Sequence, residues 1–242
     1  MVDIHCHILP GVDDGAEDMS EALEMARMAV RCGVTDLVAT SHFRGDEQEE
    51  GLLKSRFFQL SEALEQERIP LRLHPGAEIF CLEQTGELAR AGKLPTIGNT
   101  DYVLCEFRFD ASCDFMDMIL EDIAKAGYRP VIAHPERYHV IRRDPDRIRR
   151  WFRRGYVIQV NKGSVLGAFG SGVRAAARKL LDMGFVHVLA SDAHSAHRRT
   201  TDLHRLREYL LDNYSPKYVR LLLEENPGRL IRGERMLPVD NF

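Results

Sequence analysis

Short runs of apolar and β-branched residues alternate along the whole chain with longer stretches in which apolar positions return every third or fourth residue. The first pattern suits strands buried on both faces, and the second suits helices with one buried stripe. Strands are predicted at Met1–His5, Asp36–Ser41, Leu71–Glu78, Tyr102–Glu106, Pro130–His134, Tyr156–Asn161 and Val186–Ser191. Between the first two, Ala22, Leu23, Ala26, Ala29 and Val30 repeat with helical spacing inside SEALEMARMAVRCG, and Gly33 supplies a left-handed stop. Further helices are predicted at Gln48–Arg68, Phe115–Ala126, Pro145–Arg154, Val173–Met183 and Thr201–Glu225, the last broken at Ser215-Pro216.

Strands and helices that alternate, rather than sorting into separate blocks, predict an α/β protein with parallel strands. Such units close into a barrel or spread into an open doubly wound sheet. The phosphate fingerprints of open sheets, G-x-G-x-x-G and G-x-x-x-x-G-K-[ST], do not occur, which leaves a barrel-like arrangement. No internal repeat and no linker rich in Gly, Ser or Pro interrupts the pattern, so residues 1–242 are expected to form one domain.

Composition narrows the class. With 44% hydrophobic and 29% charged residues, and no apolar run near the length of about 18 that a membrane span needs, a soluble globular chain is expected. No secretory signal is recognisable, so the expected compartment is the cytoplasm. The five cysteines, Cys6, Cys32, Cys81, Cys105 and Cys113, show no C-x-x-C spacing and are expected to be reduced and mostly buried. A net charge of −4 argues against a nucleic-acid partner for the chain as a whole. One stretch departs from this balance: eight arginines lie between Arg137 and Arg154, against only Asp144 and Asp146 and Glu-free otherwise. They form either a solvated helix face or a docking surface for an anionic partner or phosphorylated tail.

The chemistry concentrates at predicted strand exits. His5 and His7 end the first strand, His42 the second, Glu78 the third, Glu106 the fourth, His134 the fifth, and Asp192 with His194 the seventh. In a barrel of parallel strands these ends converge on one rim, so residues far apart in sequence meet there. An H-x-H pair alone can simply share a polar strand face, since alternation points His5 and His7 one way and Cys6 the other. Buried carboxylates at Glu78 and Glu106 are harder to dismiss, because each needs a cation or hydrogen bonds to offset several kcal/mol of desolvation. After the Pro-Gly turn, Asp14 is expected to return over the site as a ninth ligand. Asp13 is expected to cap the next helix or satisfy loop amides. Nine imidazole and carboxylate groups exceed one tetrahedral zinc and fit two or three ions, with manganese, iron and zinc all suited to such ligands.

The ordered set D-I-H-C-H, V-D-D-G, T-S-H, G-A-E, E-F, I-A-H-P-E-R and A-S-D-A-H resembles the PHP superfamily of polymerase and histidinol phosphatase hydrolases. More closely, it resembles the bacterial manganese-dependent protein-tyrosine phosphatases of capsule and exopolysaccharide operons, over Met1 to Arg232 with NPGRLIRGE near the end. The resemblance implies a distorted (β/α)7 barrel with a trinuclear centre at the C-terminal rim. It implies that His5, His7, Glu78 and Asp192 hold a first ion, that Glu78 bridges to a second held by Glu106 and His134, and that Asp14, His42 and His194 hold a third. It also implies that Arg137 contacts the substrate phosphate, with a second arginine after the D-x-H motif; in the loop SAHRR, Arg198 and Arg199 both qualify. The implied substrate is a phosphotyrosine protein, the tail of a membrane-associated tyrosine kinase.

Paired ions of this kind make water acidic enough to attack phosphorus near neutral pH, so no side-chain nucleophile is required. The competing thiolate mechanism needs C-x5-R, and six positions beyond each cysteine stand Val12, Val38, Glu87, Ala111 and Ile119. Two other readings stay open: a histidinol-phosphate phosphatase, which should enclose a small substrate, and a non-catalytic interaction module on the same barrel. His139 and His197 are expected at the surface, with proton donation as the alternative, and His74, His187 and His204 in structural or surface roles. Trp151 is expected either to anchor a helix in the core or to be an exposed partner contact.

Overall fold

The structure, a computed structural model, describes residues 1–239. The chain runs through β1 (Val2–Cys6), α1 (Met19–Arg31), β2 (Asp36–Ala39), β3 (His42–Phe43), α2 (Glu47–Gln66), β4 (Arg72–Pro75) and β5 (Glu78–Phe80). It continues with α3 (Thr85–Arg90), β6 (Tyr102–Glu106), α4 (Cys113–Lys125), β7 (Arg129–Ala133), α5 (His139–Arg143), α6 (Ile148–Arg153) and β8 (Val157–Asn161). After α7 (Lys162–Leu166), α8 (Ser171–Asp182) and β9 (Val188–Ala190) come α9 (His204–Asn213), α10 (Pro216–Arg220) and α11 (Asn226–Leu230).

All strand pairs are parallel, in a sheet of order β1-β2-β4 and a second of order β3-β5-β6-β7-β8-β9. The two sheets make one wall, because β3 continues β2 after a two-residue break and β5 continues β4 in the same way. Asp192 N–H donates to the His5 carbonyl (2.9 Å) and His7 N–H to the Ala193 carbonyl (2.8 Å), which joins the last strand to the first. The result is a distorted (β/α)7 barrel. The two breaks correct the expectation of unbroken strands over Asp36–Ser41 and Leu71–Glu78. At the first, Thr40 leaves the ladder: its hydroxyl accepts from Cys6 N–H (2.8 Å) and its own N–H reaches the Cys6 carbonyl (2.9 Å). At the second, Gly76 passes so close to β2 that a Cβ there would stand 2.7 Å from Val38 Cγ1.

The helices form where the periodicity placed them, with local signals fixing the ends. Asp18, rather than Asp13, caps α1 through a hydrogen bond from Glu21 N–H (2.9 Å), while Ala22, Met25, Ala26 and Ala29 turn inward. The segment expected as one helix over Pro145–Arg154 is a 3-10 turn followed by α6, and the tail helix starts at His204, not Thr201. The helices α3, α5, α7 and α11 lie outside the predicted segments; at five or six residues each is too short to display a repeat. Inside the barrel, Ile4, Val38, Leu104, Val131 and Val188 pack with Leu230 of α11. Cys6 belongs to the other apolar layer, between the wall and the helices. Trp151 is a core anchor whose indole N–H donates to Asp117 (2.7 Å). No helix of the described residues is long and apolar enough to cross a membrane.

Candidate metal centre

The strand ends deliver all nine predicted ligand residues to one rim. His5, His7, Glu78, Glu106, His134, Asp192 and His194 are buried, His42 is half-buried, and Asp14 is exposed at the edge. Glu78 lies at the middle: Oε1 is 2.9 Å from His134 Nε2 and 3.3 Å from His5 Nε2, and Oε2 is 3.2 Å from His7 Nε2 and 3.3 Å from His42 Nδ1. Asp14 Oδ1 is 3.5 Å from both His42 Nε2 and His194 Nε2. Ligand atoms gather within 4.8 Å of one another in four overlapping groups: His7, Asp14, His42 and His194; His5, His7 and Asp192; His5, Glu78 and His134; and His42, Glu78 and Glu106.

The loop VDDG explains its own composition. Asp13 Oδ2 accepts from His7 Nδ1 (2.8 Å) and from the His42 amide (2.9 Å), and its Oδ1 accepts from the Gly15 amide (3.0 Å). Gly15 then passes so near His7 that a Cβ would lie 2.1 Å from the His7 carbonyl oxygen. Only glycine allows that approach, and it is what folds Asp14 back over the histidines. His134 (φ 33°) and Asp192 (φ 50°) occupy the left-handed region that side chains with a Cβ seldom adopt. Both stand just past strand ends and aim a ligand inward, so backbone strain is spent where side chains must converge.

Proton positions test whether these residues fit metal ions. His5 Nδ1 faces Gln159 Oε1 (3.0 Å), His7 Nδ1 faces Asp13 Oδ2 (2.8 Å) and His194 Nδ1 faces the Asp192 carbonyl (3.1 Å). Each partner is an acceptor, so each Nδ1 carries a proton and each Nε2 is the nitrogen turned to the centre. Outward Nδ1–H bonds are what metal-binding imidazoles use to fix tautomer and ring orientation. His5 Nε2 also faces His7 Nε2 at 3.3 Å, a contact between like nitrogens that a metal ion taking the place of their protons would relieve.

Electrostatics point the same way. Burial would lower the pKa values of His5 and His7, but the Glu78 carboxylate, with Asp192 and Asp13, outweighs it and holds them at about 9 and about 10. Burial and then the Glu78 charge push Glu106 up to about 8. Glu78 itself is buried yet held well below the usual carboxylate range by His5 and His134, and Asp192 is held at about 2 by His5, His134 and Arg199 against its burial. His194 falls to about 4 through burial and the neighbouring His7 charge. A cluster of carboxylates that draws protons onto imidazoles this strongly offers the same attraction to divalent cations. The donor set therefore fits metal ions.

Of the three arginines, two face the centre. Arg137 Nη1 is 3.5 Å from Asp192 Oδ2, and Arg199 Nη2 donates to the same oxygen. Arg198 is exposed and its backbone N–H donates to Ser195 Oγ (3.0 Å), so the structure separates the pair that the sequence left together. Strand β8, silent in the sequence reading, supplies Gln159 and Asn161. Gln159 Nε2 donates to Asn161 Oδ1 (2.8 Å), and Asn161 Nδ2 donates to Asp192 Oδ2, which links His5 to Asp192 through β8. The available signal was polar residues two apart in the otherwise apolar run VIQVN. The remaining histidines lie elsewhere: His74 pairs with Asp36 (2.9 Å), His204 with Glu208 (3.3 Å), His187 is buried, and His139 and His197 are exposed.

The chain is also similar to known proteins over nearly its whole length. The chain is 35% identical over 237 residues to the tyrosine-protein phosphatase YwqE of Bacillus subtilis, covering 97% of this chain and 92% of that protein. It is 30% identical over 238 residues to the tyrosine-protein phosphatase CpsB of Streptococcus pneumoniae, covering 96% and 98%. A crystal structure from work on YwqE and CpsB, described as metal-dependent tyrosine phosphatases, superposes with a TM-score of 0.89 at 33% identity, covering 98% of this chain and 96% of that one. A TatD-like protein of Archaeoglobus fulgidus shares the fold at a TM-score of 0.57 and 14% identity, over 96% of this chain and 100% of that one. The family model for capsular polysaccharide synthesis, CpsB/CapC, matches residues 1–232, and the chain belongs to that family.

Proposed function

We propose that this chain is a metal-dependent protein-tyrosine phosphatase that hydrolyses phosphotyrosine with two or three divalent ions, manganese favoured over iron or zinc. The nine ligands are His5, His7, Asp14, His42, Glu78, Glu106, His134, Asp192 and His194. Bound ions supply Lewis acidity, neutralising phosphate oxygens and making water acidic enough to act as nucleophile near neutral pH. Arg137 and Arg199 present N–H donors to the non-bridging oxygens, whose charge must be balanced throughout phosphoryl transfer. A tyrosine phenolate, whose conjugate acid titrates near about 10, departs without strong proton donation, so no buried acid is required beside the leaving oxygen. The observation that carries this reading is the outward Nδ1–H bonding of His5, His7 and His194, which turns their three Nε2 atoms into one carboxylate-rich rim.

The relatives' names support tyrosine phosphate over histidinol phosphate. So does the solvent-facing rim, where the Asp14 side chain is 68% exposed, since a small amino alcohol calls for an enclosed pocket. The substrate is the phosphorylated tail of a tyrosine kinase in the cytoplasm, and residues 1–242 act as one catalytic unit. The test is hydrolysis of a phosphotyrosine peptide and of histidinol phosphate by manganese-supplemented protein and by H5A, with bound metal quantified. The expected outcome is turnover of the peptide, and in H5A a fall of about 100-fold or more in kcat/KM together with lost metal. Preference for histidinol phosphate, or wild-type protein that holds no metal, would overturn it.

A further inference from the structure

Phe169 has no place in the apolar core. Together with Phe109 it stands outside both hydrophobic clusters of the described residues, although Phe109 is 37% exposed and Phe169 is half-buried. Both rings meet arginines of the rim, and Phe109 also meets the His134 and Tyr138 rings at 6.3 and 6.4 Å. The Arg137 guanidinium carbon is 4.4 Å from the centre of the Phe109 ring and 4.6 Å from that of Phe169, and the Arg199 guanidinium carbon is 5.6 Å from the Phe169 ring. Among the described residues, Phe169 is the aromatic ring that touches both.

The loop carrying it is built for the purpose. Phe169 sits in Gly167-Ala168-Phe169-Gly170 between α7 and α8, and the flanking glycines have φ of 88° and 92°, values that side chains with a Cβ rarely adopt. Gly163 makes room below, since a Cβ there would lie 2.8 Å from Phe169 Cε2. Three glycines thus serve one ring at the C-terminal rim. A guanidinium stacked on an aromatic face keeps its N–H edge free and in a fixed plane, and this is the geometry for bidentate contact with phosphate. Here the two edges already converge on one acceptor, Asp192 Oδ2.

We infer that Phe169 is a positioning residue that, with Phe109, clamps Arg137 and Arg199 so that both guanidinium edges face the bound phosphate. The inference rests on the phosphatase reading above for the role of those arginines. The step it serves is binding of the phosphoryl group; no bond to Phe169 forms or breaks.

The test is calorimetric titration of manganese-loaded protein with inorganic phosphate, for wild type, F169A, F169L and F169Y, with bound manganese quantified in each. F169A and F169L are expected to weaken phosphate binding about ten-fold, the factor that corresponds to a partly desolvated cation–π contact, with metal content unchanged. F169Y is expected to restore it to within about three-fold. KM for a phosphotyrosine peptide should rise in F169A and F169L in parallel with the phosphate dissociation constant. In an R137A/R199A background, F169A should cost nothing further. Wild-type binding by F169L, failure of F169Y to restore binding, or loss of metal in F169L would each overturn the clamp. Wild-type protein that binds phosphate but releases none from the peptide would instead sink the substrate reading, while the phosphate titrations of the Phe169 variants still decide the clamp.

Discussion

Asp13 and Asp14 are chemically identical neighbours with different tasks, and the difference is made by what each oxygen meets. Asp13 spends three hydrogen bonds on His7, His42 and Gly15, which holds its carboxyl well below the usual range despite burial. Asp14 keeps its oxygens for His42 and His194. The sequence assigned these roles by spacing; what it could not display was that Asp13 orients His7, since a side chain reaching back six positions leaves no periodic trace. D13N keeps the volume but removes the anionic acceptor behind His7 Nδ1–H. A loss of about 10–100-fold in metal affinity and in kcat/KM is expected with the fold intact, as for other groups that orient a ligating imidazole. Metal titration alongside circular dichroism checks it, and a variant with wild-type metal affinity would show that His7 needs no anchor. The two arginines after the D-x-H motif were similarly inseparable in sequence, because only the course of the loop turns Arg199 in and Arg198 out.

At the scale of elements, strands read well wherever apolar residues run continuously, and the repeats of α1, α4 and α8 show in the chain because each buries one stripe. The interruption between β2 and β3 was invisible, since Thr40 suits a strand and leaves it only through contacts with another strand, whereas Pro75-Gly76 carries a turn signal inside a run otherwise suited to one strand. The polar pair on β8 gives no signal for a related reason: amides carry no charge and suggest no chemistry without their partners. Q159L would remove the acceptor for His5 Nδ1 and free that ring to turn. The expected result is metal affinity about ten-fold weaker or worse, read by the same titration, whereas unchanged affinity would mean that Glu78 and Asp192 alone hold the ring.

His187, just before β9, supplies a pH prediction. Burial holds it at about 4, and its Nδ1 accepts the Ile158 N–H (3.0 Å), which requires the neutral ring. Its folded pKa lies below the ordinary value of about 6.5, so the unfolded chain binds the extra proton first. Stability from this residue is complete above about pH 6.5 and is lost as pH falls from there towards about 4, at up to about 1.4 kcal/mol per pH unit. H187Q is therefore expected to lose less melting temperature than wild type between pH 6.5 and 4.5, and equal slopes would show that the ring does not titrate with unfolding.

On the scale of the whole molecule, the run of arginines loses its mystery through pairing. Arg150 binds Asp117 (2.7 Å), Arg154 binds Glu121 (2.5 Å), Arg149 binds Asp146 (3.1 Å) and Arg147 binds Asp144 (3.3 Å), while Arg137 leaves the run for Asp192 at the rim of the barrel. Much of the positive charge is thus answered by acids of α4 and of its own segment, and the surface reading outweighs a docking one. The candidate metal rim is where the molecule is held shut, because Asp192, His5 and His7 both close the barrel, together with Ala193, and present candidate ligand atoms. Ions bound there would tie together strands from both ends of the chain and exist only in the folded state. An ion present at about 1,000 times its dissociation constant adds about 4 kcal/mol, and at this chain length each kcal/mol moves Tm by about 2–4 °C. Chelation should therefore lower Tm by about 10 °C relative to manganese-loaded protein, and H5A should show a much smaller difference between the two conditions. If chelated and manganese-loaded wild type melt together, the carboxylates and imidazoles of the rim are balancing one another through protons and hydrogen bonds, and the metal centre fails as an account of why they were brought together.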